Sequence, residues 1–292
     1  MNYDVAIIGG SYAGLAAALP LGRARRGVVV IDAGQRRNRF ADHSHGFLTQ
    51  DGTAASEIAQ IGKQQLLQYK TVDWMDGFVK RIERKEDNFH LCIDGTDAVS
   101  AKKIIVATGV KDQLPEIKGL AERWGKSIFH CPYCHGYELN QGRIGLIASS
   151  ENAVHMAMML PEWGSVTFFL NGQKIEAEIQ AQLIERGVII EQRIIKEIVG
   201  QSEIILENEE HLSMDGIFVT TQCLISQDWI AHLGCEIEKN VMGEVIKTNA
   251  LKETSVAGVF ACGDVARLGG SVSLAVGDGT MAGVAAHRSL IF

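Results

Sequence analysis

The stretch Gly9-Gly10-Ser11-Tyr12-Ala13-Gly14 limits the fold of this chain more than any other. It follows an apolar run, Tyr3 to Gly9, that reads as a buried strand. It opens an Ala/Leu-rich segment, Ser11 to Arg26, whose basic end suits a helix C-terminus. Gly9 permits a tight turn, and Gly14 lets a helix lie close on a strand. Position 11 must allow backbone to approach a pyrophosphate, and Ser11 is small; with Ala13 these are the candidate contacts of the turn. Gly27 to Ile31 forms a second strand, closed by Asp32, 23 residues after Gly9, where an acid can accept hydrogen bonds from an adenosine ribose. A strand–turn–helix–strand unit of this kind receives phosphates at its helix N-terminus.

A second unit of the same type is expected from Arg143 to Ile147, Ser149 to Leu160 and Ser165 to Leu170. A helix over Ile175 to Arg186 and a strand-rich region up to Thr220 follow it. Before it, Ala54 to Tyr69 has helical periodicity, and Phe78 to Val106 reads as a small antiparallel meander. The charged segment Lys111 to Gly119, with Pro115, reads as a linker. Around Glu238 to Glu244 the chain turns again, and Thr254 to Asp264 repeats the strand-ending chemistry of the first unit. The expected fold is α/β, with two Rossmann-like, three-layer ββα nucleotide-binding domains. The first is discontinuous, residues 1–114 and 243–292, and the second, residues 115–242, is inserted into it. A chain of 292 residues can give each a core.

The inserted part carries Cys131-Pro132-Tyr133-Cys134-His135. Two thiols with two residues between them can close as a disulfide, and proline is favoured at the first helical position. Cys131 would then lie near a helix N-terminus, whose partial positive charge favours thiolate. His135 titrates near neutrality and suits proton transfer to and from thiols. Glu138, one helical turn on, is placed to orient that imidazole. The other cysteines, Cys92, Cys223, Cys235 and Cys262, stand alone in apolar or strand-like contexts and read as small buried hydrophobes.

Composition excludes some partners. A formal net charge of −7 argues against nucleic acid or an anionic membrane. The apolar stretch Val5 to Leu19 lacks a basic leader and contains a Gly-rich turn, so it is not a signal peptide, and a cytoplasmic location is expected. Cys-x-x-Cys-His is also the c-type haem attachment string, but that requires export. A zinc site from His130, Cys131, Cys134 and His135 would draw every ligand from six residues, whereas structural sites use two separated pairs. No metal is expected.

Two further stretches sharpen nucleotide to flavin. Thr254 to Asp264 (TSVAGVFACGD) resembles the second FAD-binding signature of the pyridine-nucleotide-disulfide oxidoreductases, and Ala107-Thr108-Gly109 resembles their intervening strand end. With the first turn and the dithiol, the chain resembles low-molecular-weight thioredoxin reductases over nearly its whole length. That resemblance implies FAD as cofactor, contacts from Gly263 and Asp264, and a homodimer. It also implies that Cys134 faces the flavin while Cys131 exchanges with substrate.

The chain departs from that family in two places. His135 stands where the family has Asp. The inserted domain has Ala148-Ser149-Ser150-Glu151-Asn152-Ala153 in place of G-x-G-x-x-A, and Leu170-Asn171-Gly172-Gln173 in place of an Arg cluster, with only Lys174 nearby. NADPH binding is therefore expected to be lost. Cys131 through Glu138 (CPYCHGYE) resembles the gliotoxin- and holomycin-type FAD-dependent dithiol oxidases. The Arg37-Asn38-Arg39-Phe40 to His43-Ser44-His45-Gly46 loop is similar to theirs too, with His43 or His45 a candidate to line a substrate cleft. The resemblance implies a dithiol oxidised by way of flavin to oxygen or another acceptor. Two alternatives stay open: a disulfide reductase fed by NADPH or another donor, and a non-catalytic redox sensor. The thiol substrate, a small molecule or a thioredoxin-like protein, is not legible.

Overall fold

Alternation along the first strand sets the layers of the molecule. The computed structural model describes residues 1–150 and 152–292, the side chains of Asp97 and Ala98 excepted. In β1 (Asn2–Ile8), Val5 and Ile7 pack into one core with α1 (Tyr12–Arg23), while Ala6 and Ile8 pack into a second core on the opposite face. β2 (Val28–Asp32), α2 (Ala55–Leu66), β3 (Val72–Asp76), β4 (Val79–Lys85), β5 (Asn88–Ile93) and β6 (Thr96–Val106) follow. β3, β2, β1 and β6 run parallel in that spatial order. β6 serves two layers: its first half pairs antiparallel with β5, and its second half pairs parallel with β19 (Val259–Ala261) near the C-terminus.

The chain leaves this unit in β7 (Lys111–Gln113) and returns in β16 (Gln222–Leu224). Between them lie β8 (Ile128–Phe129), α3 (Pro132–His135), β9 (Arg143–Ile147), α4 (Asn152–Met159), β10 (Ser165–Phe169), α5 (Ala177–Glu185), β11 (Ile189–Glu191), β12 (Ile195–Val199), β13 (Glu203–Leu206), β14 (His211–Ser213) and β15 (Gly216–Val219). The parallel sheet has the order β11-β10-β9-β15-β8, and β12-β13-β14 form an antiparallel layer. Leu146 and Phe168 face the core holding Ala153 and Ala157 of α4. Ile147 and Phe169 face the core built with β12 and β13. The same two-sided plan thus appears twice. In each unit the strand order reverses beside the first strand, at β1/β6 and at β9/β15, where open α/β sheets leave a ligand crevice.

α6 (Trp229–His232), β17 (Ile237–Asn240), β18 (Gly243–Ile246), β19 (Val259–Ala261) and α7 (Val272–Arg288) complete the first unit. Ser271 caps α7, its Oγ accepting from the Leu274 N–H at 3.2 Å.

Several elements differ from the sequence expectation. The crossings lie at residues 111/112 and 222/223, against expected boundaries at 114/115 and 242/243. Residues 223–242 join the first unit because Trp229 and Ile230 are buried in its second core, with Trp229 Nε1 donating to Val79 O at 3.1 Å. Residues Phe40–Gly46, far earlier in the chain, pack with the inserted unit instead. β3 shows no alternation in sequence and buries only Val72. Ser149 and Ser150 lie outside the helix expected to start with them, their hydroxyls bonded to Thr220, and the described residues of α4 run Asn152–Met159. The turn near Glu238–Glu244 is the β17–β18 hairpin.

Candidate functional site

The first crevice is built by close backbone approach. Gly9 has φ +105°, and a methyl there would overlap the carbonyl of Ala107, so the turn after β1 and the end of β6 touch directly. A methyl on Gly14 would overlap the Gly9 carbonyl oxygen, which seats α1 on the turn. Gly263 reaches the same place, with Ala13 Cβ and Ala275 Cβ against it. Asp32 Oδ1 accepts the Gly10 N–H at 3.0 Å, which fixes the acid at the turn. Gly109 borders open space. The structure therefore gathers Gly9, Ser11, Ala13, Gly14, Asp32, Ala107 and Gly263 around the start of α1, with Thr108 and Gly109 continuing from Ala107.

This crevice fits an anionic, polyhydroxyl cofactor such as FAD. Ser11 is the N-cap of α1 but makes no side-chain capping bond, so the first-turn N–H groups remain available to phosphate. The loop after β2 adds groups that the sequence reading cited only for resemblance. Asn38 Nδ2 donates to Tyr12 Oη at 3.1 Å, and Tyr12 Oη donates to Ala55 O at 3.1 Å. Arg36 Nε and Asn38 Oδ1 are buried without a hydrogen-bond partner, as expected where a polar ligand should complete them. Asp264 lies in an ion pair with Arg37 at 2.8 Å, and Arg37 Nη2 is 3.2 Å from Cys223 Sγ. Cys223 is thus half-buried beside a guanidinium rather than packed as a hydrophobe. Cys92, Cys235 and Cys262 are buried, and burial, with Asp278 adding to it, pushes the Cys262 thiol up to about 12.

The second crevice has a different lining. Ser149 Oγ, at the end of β9, donates to Thr220 O at 2.6 Å and lies 2.9 Å from Thr220 Oγ1. Ser150 Oγ donates to Thr220 Oγ1 at 2.8 Å. Side chains therefore bridge β9 to the residue after β15, across the point where a dinucleotide would lie. At the end of β10, Asn171 Oδ1 accepts the Ile195 N–H at 2.9 Å and Gly172 follows in a turn. Arg193, two residues beyond Glu191 of β11, is held by Glu191 and Glu210. These residues do not fit NADPH. Glu151, whose charge also counted against phosphate in the sequence, lies outside the described residues.

The redox motif sits in the same unit. Cys131 and Cys134 form a disulfide with Cα atoms 5.3 Å apart. Cys131 is the N-cap of α3 and Pro132 its first residue, but α3 is a single turn, so little aligned dipole acts on Cys131. The His135 ring stacks on Phe129 with centroids 4.2 Å apart, which fixes its plane. Burial holds this imidazole below the ordinary histidine value; Glu138 works against that effect and His45 adds to it. Glu138 makes no hydrogen bond to His135 among the described residues. Its Oε1 lies 3.4 Å from His45 Nε2. His130 packs beside Trp124, and Tyr133 meets Trp163 edge-on.

Three comparisons bear on this arrangement. The family model described as pyridine nucleotide-disulphide oxidoreductase matches residues 3–279. The chain is 32% identical to the protein named thioredoxin reductase sirT of Leptosphaeria maculans, over 96% of this chain and 92% of that one. Among solved structures, it superposes on an oxidoreductase from Agrobacterium tumefaciens with a TM-score of 0.98 and 52% identity, covering 100% of this chain and 99% of the other. It superposes on HlmI with a TM-score of 0.92 and 34% identity, covering 99% and 93%. No helix among the described residues is long and apolar enough to cross a membrane.

Proposed function

Because the chain belongs to the pyridine nucleotide-disulphide oxidoreductase family, whose thioredoxin reductase-like members are FAD enzymes, we propose that it oxidises a dithiol through its Cys131–Cys134 disulfide. In this reading the first unit is the FAD-binding domain. Gly9, Ser11, Ala13 and Gly14 with the α1 N-terminus take the pyrophosphate, and Asp32 takes the adenosine ribose. Ala107, Thr108, Gly109, Gly263 and Asp264 line the remainder, and Arg36, Arg37 and Asn38 close it from the loop. Bound FAD would accept an electron pair from the reduced Cys131/Cys134 pair and pass it to oxygen or another acceptor.

The protein's own residues carry the thiol chemistry. A substrate thiolate attacks Cys131 Sγ, breaks the Cys131–Cys134 bond and forms a mixed disulfide; Cys134 leaves as thiolate. The second substrate thiolate attacks the substrate sulfur of that bond, releasing an oxidised product and Cys131 thiolate. Two electrons have then moved from substrate to the cysteine pair. His135 takes the protons that the substrate thiols give up and returns them to the leaving thiolates, since burial favours its neutral, accepting form.

The observation that carries the direction of electron flow is the Ser149–Thr220 bridge across the second crevice, which speaks against NADPH as donor. The sirT relative's name supports the opposite direction, reduction of a disulfide, which would need another electron source. An anaerobic comparison decides between them. Dithiothreitol should bleach the flavin and NADPH should not, with peroxide appearing when air is admitted. Rapid bleaching by NADPH would reverse the reading, and flavin indifferent to both would favour a sensor. The partner implied is a thiol compound, and a homodimer is the family expectation.

A further inference from the structure

We infer that His45 is a positioning residue for the redox motif: it engages the Glu138 carboxylate, so that this anion is shared between two imidazoles rather than committed to His135. The inference rests on the proposed role of His135 as the proton acceptor for thiols. Its basis is a feature of the chain path. Residues Phe40–Gly46 stand between β2 and α2 in sequence but pack with the inserted unit. This strap is anchored there by Phe40, which lies against Gly125. His45 is thereby brought to the turn that follows α3, with Nε2 3.4 Å from Glu138 Oε1; the side chains are 25% and 46% exposed, so the contact is only partly screened.

Chemistry explains why such a contact matters to a base. A carboxylate one turn from an imidazole favours the imidazolium, and a base that is already protonated cannot take a proton from a thiol. A second histidine on the same carboxylate offsets that pull, by direct repulsion when charged and by occupying the anion. Two titratable groups act on the His135 charge, Glu138 after α3 and His45 on the strap, and they act in opposite directions; Phe129 of β8, stacked on the ring, carries no charge. Phe129 fixes the ring plane, so the balance is set by charge rather than by rotation of the ring.

The test follows the His135 Cε1 proton by NMR titration in the FAD-loaded protein, its signal assigned with His135→Asn. His45→Gln should move the His135 midpoint to higher pH, Glu138→Gln should move it lower, and His45→Lys should leave it near that of the parent. The acid limb of dithiothreitol-driven bleaching should follow, with His45→Gln about threefold slower at the acid end, as expected for loss of one partly screened charge. A strap that merely braces the fold would change rates at every pH and leave the midpoint in place. That result, or a shift in the wrong direction for either Gln variant, overturns the inference. If His45→Gln fails to fold, His45→Asn, which also removes the charge, should move the midpoint the same way, and an unmoved midpoint there overturns the inference. NADPH-driven bleaching with the midpoints moving as stated would end the oxidase reading and leave this inference standing. Dithiol-driven turnover with unmoved midpoints would do the reverse.

Discussion

The two crevices of this molecule share a sheet plan and differ in what fills the turn after the first strand. At β1 the turn is backbone against backbone, with Gly9 on Ala107 and Gly14 on Gly9, and the α1 N–H groups are left for a ligand. At β9 the equivalent place holds two hydroxyls tied to Thr220, so the polar groups of the loop satisfy one another. The difference teaches that a Rossmann-like unit can keep its architecture with side chains rather than glycine backbone in the turn, provided those polar groups find internal partners. The glycine turn offers backbone N–H groups to a ligand, whereas the serine hydroxyls of the second turn are satisfied by Thr220.

The sharpest way to break this comparison is to place bulk in the first turn. Gly14→Val should cost at least about 3 kcal/mol through backbone overlap and yield protein without flavin, as read by absorbance and thermal melting. Its counterpart in the second unit, Ala153→Gly, should cost only about 1 kcal/mol from helix propensity and keep the flavin. Next in size, Asp264→Ala removes the partner of Arg37 and a proposed cofactor contact, and should weaken FAD retention about tenfold in an equilibrium dialysis measurement. Cys134→Ser should abolish dithiol-driven bleaching while leaving flavin content unchanged, which separates the crevice from the motif. Smallest, Ser149→Ala should lower stability by about 1 kcal/mol, a few degrees or less in Tm, with no gain of NADPH-driven bleaching. Bleaching by NADPH in that variant would mean that the hydroxyl bridge alone had kept the dinucleotide out.

Much of the fold was legible because its strands are either alternating or wholly apolar. Val5 to Ile8 and Arg143 to Ile147 announce themselves by pattern, and glycines fix where each turn falls. The cysteine pair and His135 were legible as chemistry because their spacing is local. What escaped depends on long-range placement. Trp229 looks like any surface-helix aromatic until its indole is seen against the Val79 carbonyl, and this moves the second crossing by twenty residues. Arg37 and Asp264 stand at opposite ends of the sequence, and nothing local pairs them. Helical spacing makes Glu138 the partner of His135, yet its oxygen meets His45, a residue 93 positions earlier in the chain.

The excursion of residues 40–46 has a consequence for how far these two units can be treated as modules. The inserted unit is joined to the remainder by four passages of chain rather than two, at 39/40, 46/47, 111/112 and 222/223. Cutting out residues 112–222 would therefore leave behind the peptide that covers Gly125 and reaches Glu138, and a graft of that fragment onto another flavoprotein would arrive without it. Recombination between relatives should respect the tie, exchanging residues 40–46 together with 112–222 as one inheritance.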